Sequence, residues 1–308
     1  MMDTIIRTEN LSKNYGKLKA VDNVSISVNR GEIYGFLGLN GAGKTTTIRM
    51  LLGMVGSTAG VAYLNGIKVT PGNPAMWKDV GYLVEVPYSY PDLTVRENLE
   101  LVRHLRMIKG PGCVDLIIEK LDLGQYSDII AKNLSLGNSQ RLGLAKAMMH
   151  NPALLILDEP ANGLDPAGIV EIRELLKDLA LNKGVTVFIS SHILGEISKF
   201  ATRIGIIHAG ELLHESSVSD MESQRKVCLQ VKSKDITGAG NILEKSGFVA
   251  ILTDEGVLEI NDKDAISYPE KISALLVNSG FPPSLVKVEE EDLETFFLRV
   301  IKMKGGER

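Results

Sequence analysis

The sequence predicts an α/β protein built on a mostly parallel sheet, followed by a small α+β domain. Three observations predict it. Gly38-Leu39-Asn40-Gly41-Ala42-Gly43-Lys44-Thr45 fits the phosphate-binding pattern G-x-x-x-x-G-K-[ST] and lies between an apolar run and a helical run. Short apolar runs at 153–157 and 185–190 read as strands buried on both faces, and helical periodicity fills the gaps between them. Beyond about residue 220 the composition shifts, and short strands alternate with helices in a different order.

The elements follow in chain order. Residues 4–37 carry short β signals, with Val21, Val24, Ile26 and Val28 in an approximately alternating run and Asn29-Arg30-Gly31-Glu32 turning into the next strand. Residues 33–37 read as the strand entering the glycine loop, and 46–52 as the helix leaving it, stopped by Gly53. Residues 60–66 predict a strand and turn, and Pro71-Gly72-Asn73-Pro74 breaks the chain. Residues 94–131 read as mostly helical. Thr94-Val95-Arg96-Glu97 forms a capping box ahead of the stripe Leu99, Val102 and Leu105; Gly110-Pro111-Gly112 interrupts, and 114–123 resume the period. A helix over 139–150 ends at Asn151-Pro152. Pro166 then opens a helix with Ile169, Ile172, Leu175, Leu176 and Leu179 on one face. Strands alternating with helices imply right-handed crossovers and a nucleotide at the strand ends.

The last segment reads strand (228–231), helix (236–245), two strands (249–252 and 257–260), helix (269–278), strand (285–288) and helix (293–301). This is a βαββαβ-like order with a trailing helix. The acidic run Glu289-Glu290-Glu291-Asp292 is expected at the N-terminus of that helix, where the dipole favours anions; Leu293, Phe296, Phe297 and Val300 form its apolar side.

The glycine loop carries its own chemistry. Glycines let successive backbone N–H groups turn toward a polyphosphate, and the helix N-terminus adds partial positive charge. Lys44 can reach the β and γ oxygens, and the Thr45 hydroxyl can ligate Mg²⁺. The chain is therefore expected to bind a nucleoside triphosphate.

Composition narrows the class without naming it. The chain has 308 residues, 44% hydrophobic and 23% charged, as an ordinary soluble protein of about two domains would. A net charge of −4 gives no reason to expect nucleic acid. No apolar run approaches the ~18 residues of a membrane span. Residues 1–7 lack the basic-then-apolar layout of a secretory signal. Cys113 and Cys228 lie far apart, outside metal-type spacing, and are expected to be reduced thiols in a cytoplasmic setting.

A phosphate loop alone leaves kinases, GTPases, helicases and transport ATPases open. The strand at 154–157 ends in Asp158-Glu159, where Asp158 can hold Mg²⁺ and Glu159 can polarise a water for in-line attack on the γ-phosphorus. Upstream lies Leu134-Ser135-Leu136-Gly137-Asn138-Ser139-Gln140-Arg141; downstream come Gly163-Leu164-Asp165-Pro166 and Ser190-Ser191-His192.

In this order and spacing the motifs resemble the nucleotide-binding subunit of an ABC transporter, over residues 1–220. The resemblance implies a P-loop ATPase fold with an antiparallel β subdomain, a helical subdomain at about 86–150, and an accessory α+β domain over 221–308. It implies a head-to-tail dimer, expected as a homodimer, that sandwiches ATP and Mg²⁺ and drives separate transmembrane permease subunits from the cytoplasmic face of the membrane. Carried over by position, Gly38, Asn40, Gly41, Ala42, Gly43, Lys44, Thr45 and Thr46 hold the phosphates, and Tyr15 stacks on adenine. Ser135 and Gly137 would contact the γ-phosphate across the dimer interface, and Asp165 would lie at its seam. Lys44, Glu159 and His192 take the catalytic roles, His192 by a hydrogen bond to the γ-phosphate; Thr45, Asp158 and Glu85 are the candidate metal residues.

Two departures stand out. The signature usually reads L-S-G-G-Q; here the first glycine is Leu136 and the glutamine is Asn138, changes that binding through backbone amides should tolerate. Glu85 stands where the family has a Mg²⁺-linked glutamine. Its charge either strengthens Mg²⁺ binding or, pointing inward, repels the triphosphate. Both departures are similar to the branch that exports peptide antibiotics such as bacitracin and lantibiotics.

Plainer readings stand beside these. Asp158 could be a structural cap, His192 could simply pack after its strand, and Tyr15 beside Gly16 could be an ordinary hairpin residue. His104, His150, His208 and His214 suit surface helix or turn positions. Tyr82, Tyr88 and Tyr90 are expected to pack beside Pro87 and Pro91, in the loop that in this family meets the membrane subunit. A soluble ABC ATPase of the chromosome type would need a long coiled coil and one of the ribosome type a second phosphate loop; neither is present. A monomeric P-loop kinase or GTPase would lack the signature segment.

Overall fold

A computed structural model describes residues 3–110, 112–253 and 255–305. Pro111, part of the expected break, lies outside them, as do Met1 and Met2. By Cα proximity the chain divides into two units: residues up to Val218 together with those from Phe297 onward, and Ser219–Phe296.

The first unit opens with β1 (Thr4–Tyr15), β2 (Leu18–Val24), β3 (Ser27–Asn29) and β4 (Ile33–Leu37), then α1 (Lys44–Leu51), β5 (Ala59–Leu64) and β6 (Ile67–Lys68). Strands β2, β1, β5 and β6 form an antiparallel sheet in that order, and β3 also pairs with β1. Asn65 and Gly66 join β5 to β6 with φ of 50° and 75°, the left-handed pair a two-residue hairpin requires.

Next come β7 (Val80–Leu83), α2 (Val95–Leu105), α3 (Gly112–Lys120), α4 (Leu136–Met148), β8 (Leu154–Asp158), α5 (Pro166–Lys183), β9 (Thr186–Ser191) and α6 (Leu194–Ile197). The capping box forms as expected: Glu97 N–H donates to Thr94 Oγ1 at 3.1 Å, and Thr94 N–H to Glu97 Oε2 at 2.8 Å. Asn98, buried in an otherwise apolar helix face, binds the backbone of Tyr90, Leu93 and Thr94 and so fixes the loop before its own helix. Asp165 caps α5 by accepting from Gly168 N–H at 2.8 Å, and Gly184 ends it at φ 66°.

The chain then adds β10 (Arg203–His208) and β11 (Glu211–Ser217), a hairpin turned by Ala209-Gly210. The central sheet runs β11-β10-β4-β9-β8-β7, parallel except for β11. Every residue of β4, β8 and β9 is buried, which explains why their sequences read as continuous apolar runs. Sequence reading did not resolve β10 and β11. The buried apolar run of β10 spans only residues 204–207, and β11 is half-buried throughout and mixes polar with apolar residues.

The histidine expectations divide. His104 is exposed near the end of α2, as expected. His208 and His214 lie in β10 and β11 rather than in a helix or turn. His150 is half-buried rather than free on the surface: its Nε2 sits 3.1 Å from Val80 O, and desolvation holds its ring below the usual histidine range. Tyr88 and Tyr90 pack edge-on against each other at 5.9 Å, and Tyr82 packs against Trp77 at 4.7 Å.

After α7 (Val218–Ser223), the second unit holds β12 (Val227–Ser233), α8 (Ile236–Lys245), β13 (Ala250–Leu252), β14 (Leu258–Ile260), α9 (Lys263–Ser267), α10 (Pro269–Asn278) and β15 (Pro283–Glu290), and α11 (Leu293–Gly305) begins in it. Its antiparallel sheet runs β13-β14-β12-β15, the order of a split βαβ fold. Leu229, Val231, Leu243, Leu258, Ile260 and Leu276 form its core. The acidic run is split. Glu289 and Glu290 extend β15, Glu291 accepts from Lys226 N–H at 3.0 Å, and Asp292 alone serves the helix start. There Thr295 N–H, at 2.6 Å, holds the Asp292 carboxyl below the usual carboxylate range.

Gly81 marks the tightest approach between β7 and α4. A Cβ there would lie 2.0 Å from Ala147 O and 2.8 Å from Leu155 Cδ2. Gly81→Ala is expected to destabilise the protein by about 1–3 kcal/mol, read as a lowered urea midpoint.

Candidate functional site

The site forms where β4, β8 and β9 end side by side. Their register sets Leu37 opposite Ser191 and Asp158 opposite Ser190. The chain leaving β4 turns through residues 38–43 into α1. Gly41 and Gly43 hold φ of 79° and 109°. A Cβ on Gly43 would meet Ala20 O at 2.5 Å, and one on Gly38 would meet Ile207 O at 2.5 Å, so both positions need glycine for space as well. No side chain caps α1, and the amides of Gly41, Gly43, Lys44, Thr45 and Thr46 have no protein acceptor among the described residues. A polyanion fits this cradle of unpaired donors.

Lys44 is only 6% exposed. Its Nζ donates to Gly38 O at 2.7 Å and lies 3.3 Å from Glu159 Oε1. The other oxygen of Glu159 accepts from His192 Nδ1 at 2.8 Å. Since an ionised carboxylate only accepts, that nitrogen carries the proton and Nε2 is left for a second partner. Glu159 itself sits at φ 49°, immediately beyond the last residue of β8, with its N–H donating to Ser190 Oγ at 3.1 Å.

Asp158 is buried and held from both sides: Thr45 Oγ1 donates to Oδ2 at 2.7 Å, and Ser190 Oγ to Oδ1 at 2.5 Å. This hydroxyl–carboxylate pair suits Mg²⁺, which takes one or two protein oxygens and completes its shell with phosphate and water. Among the described residues no group of three or more His, Cys, Asp or Glu is arranged to hold a metal without such help.

A cavity of about 460 Å³ opens over the loop. Residues 40–46 and Glu159 line one side, and Tyr15 and Leu18 of the β1–β2 hairpin line the other. Tyr15 is half exposed, with Lys13 Nζ 5.1 Å from its ring centre. Ser135, Gly137 and Asp165 do not line this cavity. Ser135 caps α4 through Asn138 N–H at 3.2 Å, and Leu136 lies over Gly163, where a Cβ would meet its Cδ2 at 2.3 Å. Glu85, at φ 55°, points its carboxylate at Arg49, 2.6 Å away.

Known proteins are similar to this chain in sequence and in fold. The ABC transporter family model matches residues 21–162. The chain is 38% identical to the bacitracin transport ATP-binding protein BcrA of Bacillus licheniformis, over 97% of this chain and 98% of that one. This chain belongs to the ATP-binding proteins of ABC transporters. It is also 35% identical to the lantibiotic transport ATP-binding protein SrtF of Streptococcus pyogenes, over 71% of this chain and 93% of that one. A solved dimeric ATP-binding cassette in a post-hydrolysis state with ADP and phosphate covers 70% of this chain and 99% of its own, at 25% identity and TM-score 0.65. As an ABC ATPase, the protein binds ATP and hydrolyses it to ADP and phosphate to power transport.

Sequence reading gave Ser190 no role. Its signal was a small polar residue closing a buried apolar strand, but only the β8–β9 register aims it at Asp158. Ser190 couples the Asp158 carboxylate to the Glu159 backbone, so Ser190→Ala is expected to lower the ATPase kcat about tenfold while nucleotide affinity changes little. Steady-state ATPase assays with a fluorescent-nucleotide titration check this.

Proposed function

We propose that the chain works as one half of a composite ATPase that powers export of a peptide antibiotic through separate membrane subunits. The observation that carries the substrate reading is near end-to-end similarity to a bacitracin transport ATP-binding protein. Among the described residues no helix is long and apolar enough to cross a membrane, which supports a peripheral place on the cytoplasmic face of permease subunits.

In this reading Tyr15 stacks on adenine, and Gly38, Asn40, Gly41, Ala42, Gly43, Lys44, Thr45 and Thr46 hold the phosphates. Thr45 and Asp158 hold Mg²⁺, which when bound neutralises charge on the β and γ oxygens. Glu85 stays with Arg49 and adds negative charge beside the metal site. Glu159 begins locked between Lys44 and His192. Triphosphate oxygens draw both donors away, and the freed carboxylate orients the attacking water. Gating of this kind keeps the base idle until substrate is seated.

Ser135, Gly137 and Asp165 stand apart from the chain's own phosphate cavity, which supports a head-to-tail homodimer in which each copy offers them to its partner's ATP. The unit Ser219–Phe296 regulates or assists that assembly. The loop 85–98 contacts the membrane subunit.

Glu159→Gln with MgATP is expected to elute as a dimer on size exclusion and to lose at least about a hundredfold in hydrolysis rate. A variant that stays monomeric at saturating MgATP would favour a kinase- or GTPase-like monomer instead. Expressed with its membrane subunits in a bacitracin-sensitive host, the unaltered chain is expected to raise the inhibitory concentration, and Glu159→Gln to leave it at the host's level. No protection by the unaltered chain sinks the substrate reading.

A further inference from the structure

α6 begins two residues after His192, so whatever places α6 also places the histidine. Four residues cannot hold a helix by propensity alone, and the position of α6 comes from its neighbours. Leu194 and Ile197 are buried. Glu196, between them, reaches α5: its Oε2 lies 3.3 Å from Arg173 Nη1. Among the described residues no other polar contact joins α5 to α6. The Arg173 side chain is 17% exposed and that of Glu196 30%, so water screens the pair only in part. Each also has a partner close in sequence, Arg173 with Glu174 at 3.3 Å and Glu196 with Lys199 at 2.5 Å, and neither of those contacts bridges the helices.

Apolar packing between the two helices is incomplete. A cavity of about 50 Å³ lies at their junction, walled by Ile172 and Leu176 of α5, Ile189 of β9, and Ile193 and Ile197, and it reaches Glu159. Side chains that face a void lose the contacts that would fix their spacing, so the ion pair sets the distance between α5 and α6 more than close packing does. Arg173 lies two turns beyond Asp165, the cap of α5, which makes the helix an arm of about 12 Å between them.

We infer that Arg173 and Glu196 are positioning residues that couple the two nucleotides of the dimer: ATP drawing on His192 shifts α6, and the ion pair carries the shift along α5 to Asp165 at the partner's site. The inference rests on the composite-ATPase reading above and adds the link that runs through one chain. Neither residue lines the phosphate cavity, so both act through other groups. The void leaves α6 room to move, and the ion pair makes α5 follow. Coupling of this kind is reciprocal, so a shift of Asp165 by the partner acts back on His192.

The test measures ATP hydrolysis by the full chain against MgATP concentration. The unaltered chain is expected to respond sigmoidally, with a Hill coefficient of about 1.5–2 for two coupled sites. Glu196→Gln and Arg173→Met are each expected to abolish the cooperativity and to raise half-saturating MgATP about fivefold. In both, kcat at saturation is expected to stay within about twofold, because two filled sites no longer need the coupling. The double variant is expected to match either single one, as members of one interaction do. Arg173→Lys is expected to stay cooperative, and so is Lys199→Met, which removes a partner on the α6 side of the junction alone. Where Arg173→Met does not fold, Glu196→Gln carries the test. Cooperativity unchanged in Glu196→Gln, or lost equally in Lys199→Met, overturns the inference. An unaltered chain that dimerises with ATP yet shows no cooperativity overturns it as well, whereas one that never dimerises overturns the composite reading beneath it.

Discussion

Register among three buried strands governs this molecule. Parallel pairing of β4, β8 and β9 sets Leu37, Asp158, Ser190 and Ser191 at the C-terminal end of the sheet's inner strands, with no freedom to slide because a one-residue slip would turn a carboxylate into the apolar core. Asp158 is tolerable in so dry a place because two hydroxyls, from Thr45 and Ser190, satisfy it. Removing either leaves a buried acceptor short of a partner, which is why the metal-binding geometry and the stability of the sheet end cannot be separated.

Around that edge the protein stores unpaired donors rather than ligands. The loop amides lack acceptors among the described residues, and Lys44 is nearly sealed from water with carbonyls and one carboxylate for company. Folding has already met the cost of desolvating that cation, so a triphosphate gains from it without meeting the cost again. The same ammonium and His192 occupy both oxygens of Glu159. One set of contacts therefore serves the empty site as a counter-charge arrangement and the loaded site as a phosphate clamp.

The departures from the usual family pattern find physical accommodation. Leu136, in place of glycine, lies over Gly163, whose φ of 78° and missing side chain make the room. The signature segment is thereby braced on the loop that carries Asp165. Arg141, farther along α4, pairs with Glu171 of α5 at 2.6 Å and ties the two helices again. Glu85 is neutralised by Arg49, a residue on α1, the helix that also begins with Lys44 and Thr45.

Local chemistry made much of this legible. Glycines where φ must be positive, a threonine–glutamate capping box, Pro166 behind Asp165, and buried strands that read as unbroken apolar runs each act within a few residues, and α8 and α10 begin and end where their periodicity says. The role of Ser190, the contact of His150 with Val80 and the partner of Glu85 were not legible, because each depends on a neighbour at least 30 positions away that only pairing or packing brings close. By itself the amino-acid sequence determined the phosphate loop, the α/β class and the family, since these rest on residue types at fixed short spacing. Tertiary structure alone decided which oxygens Asp158 and Glu159 share and with whom, and that Arg173 meets Glu196, because distances between remote side chains follow from sheet register and helix packing and not from order along the chain.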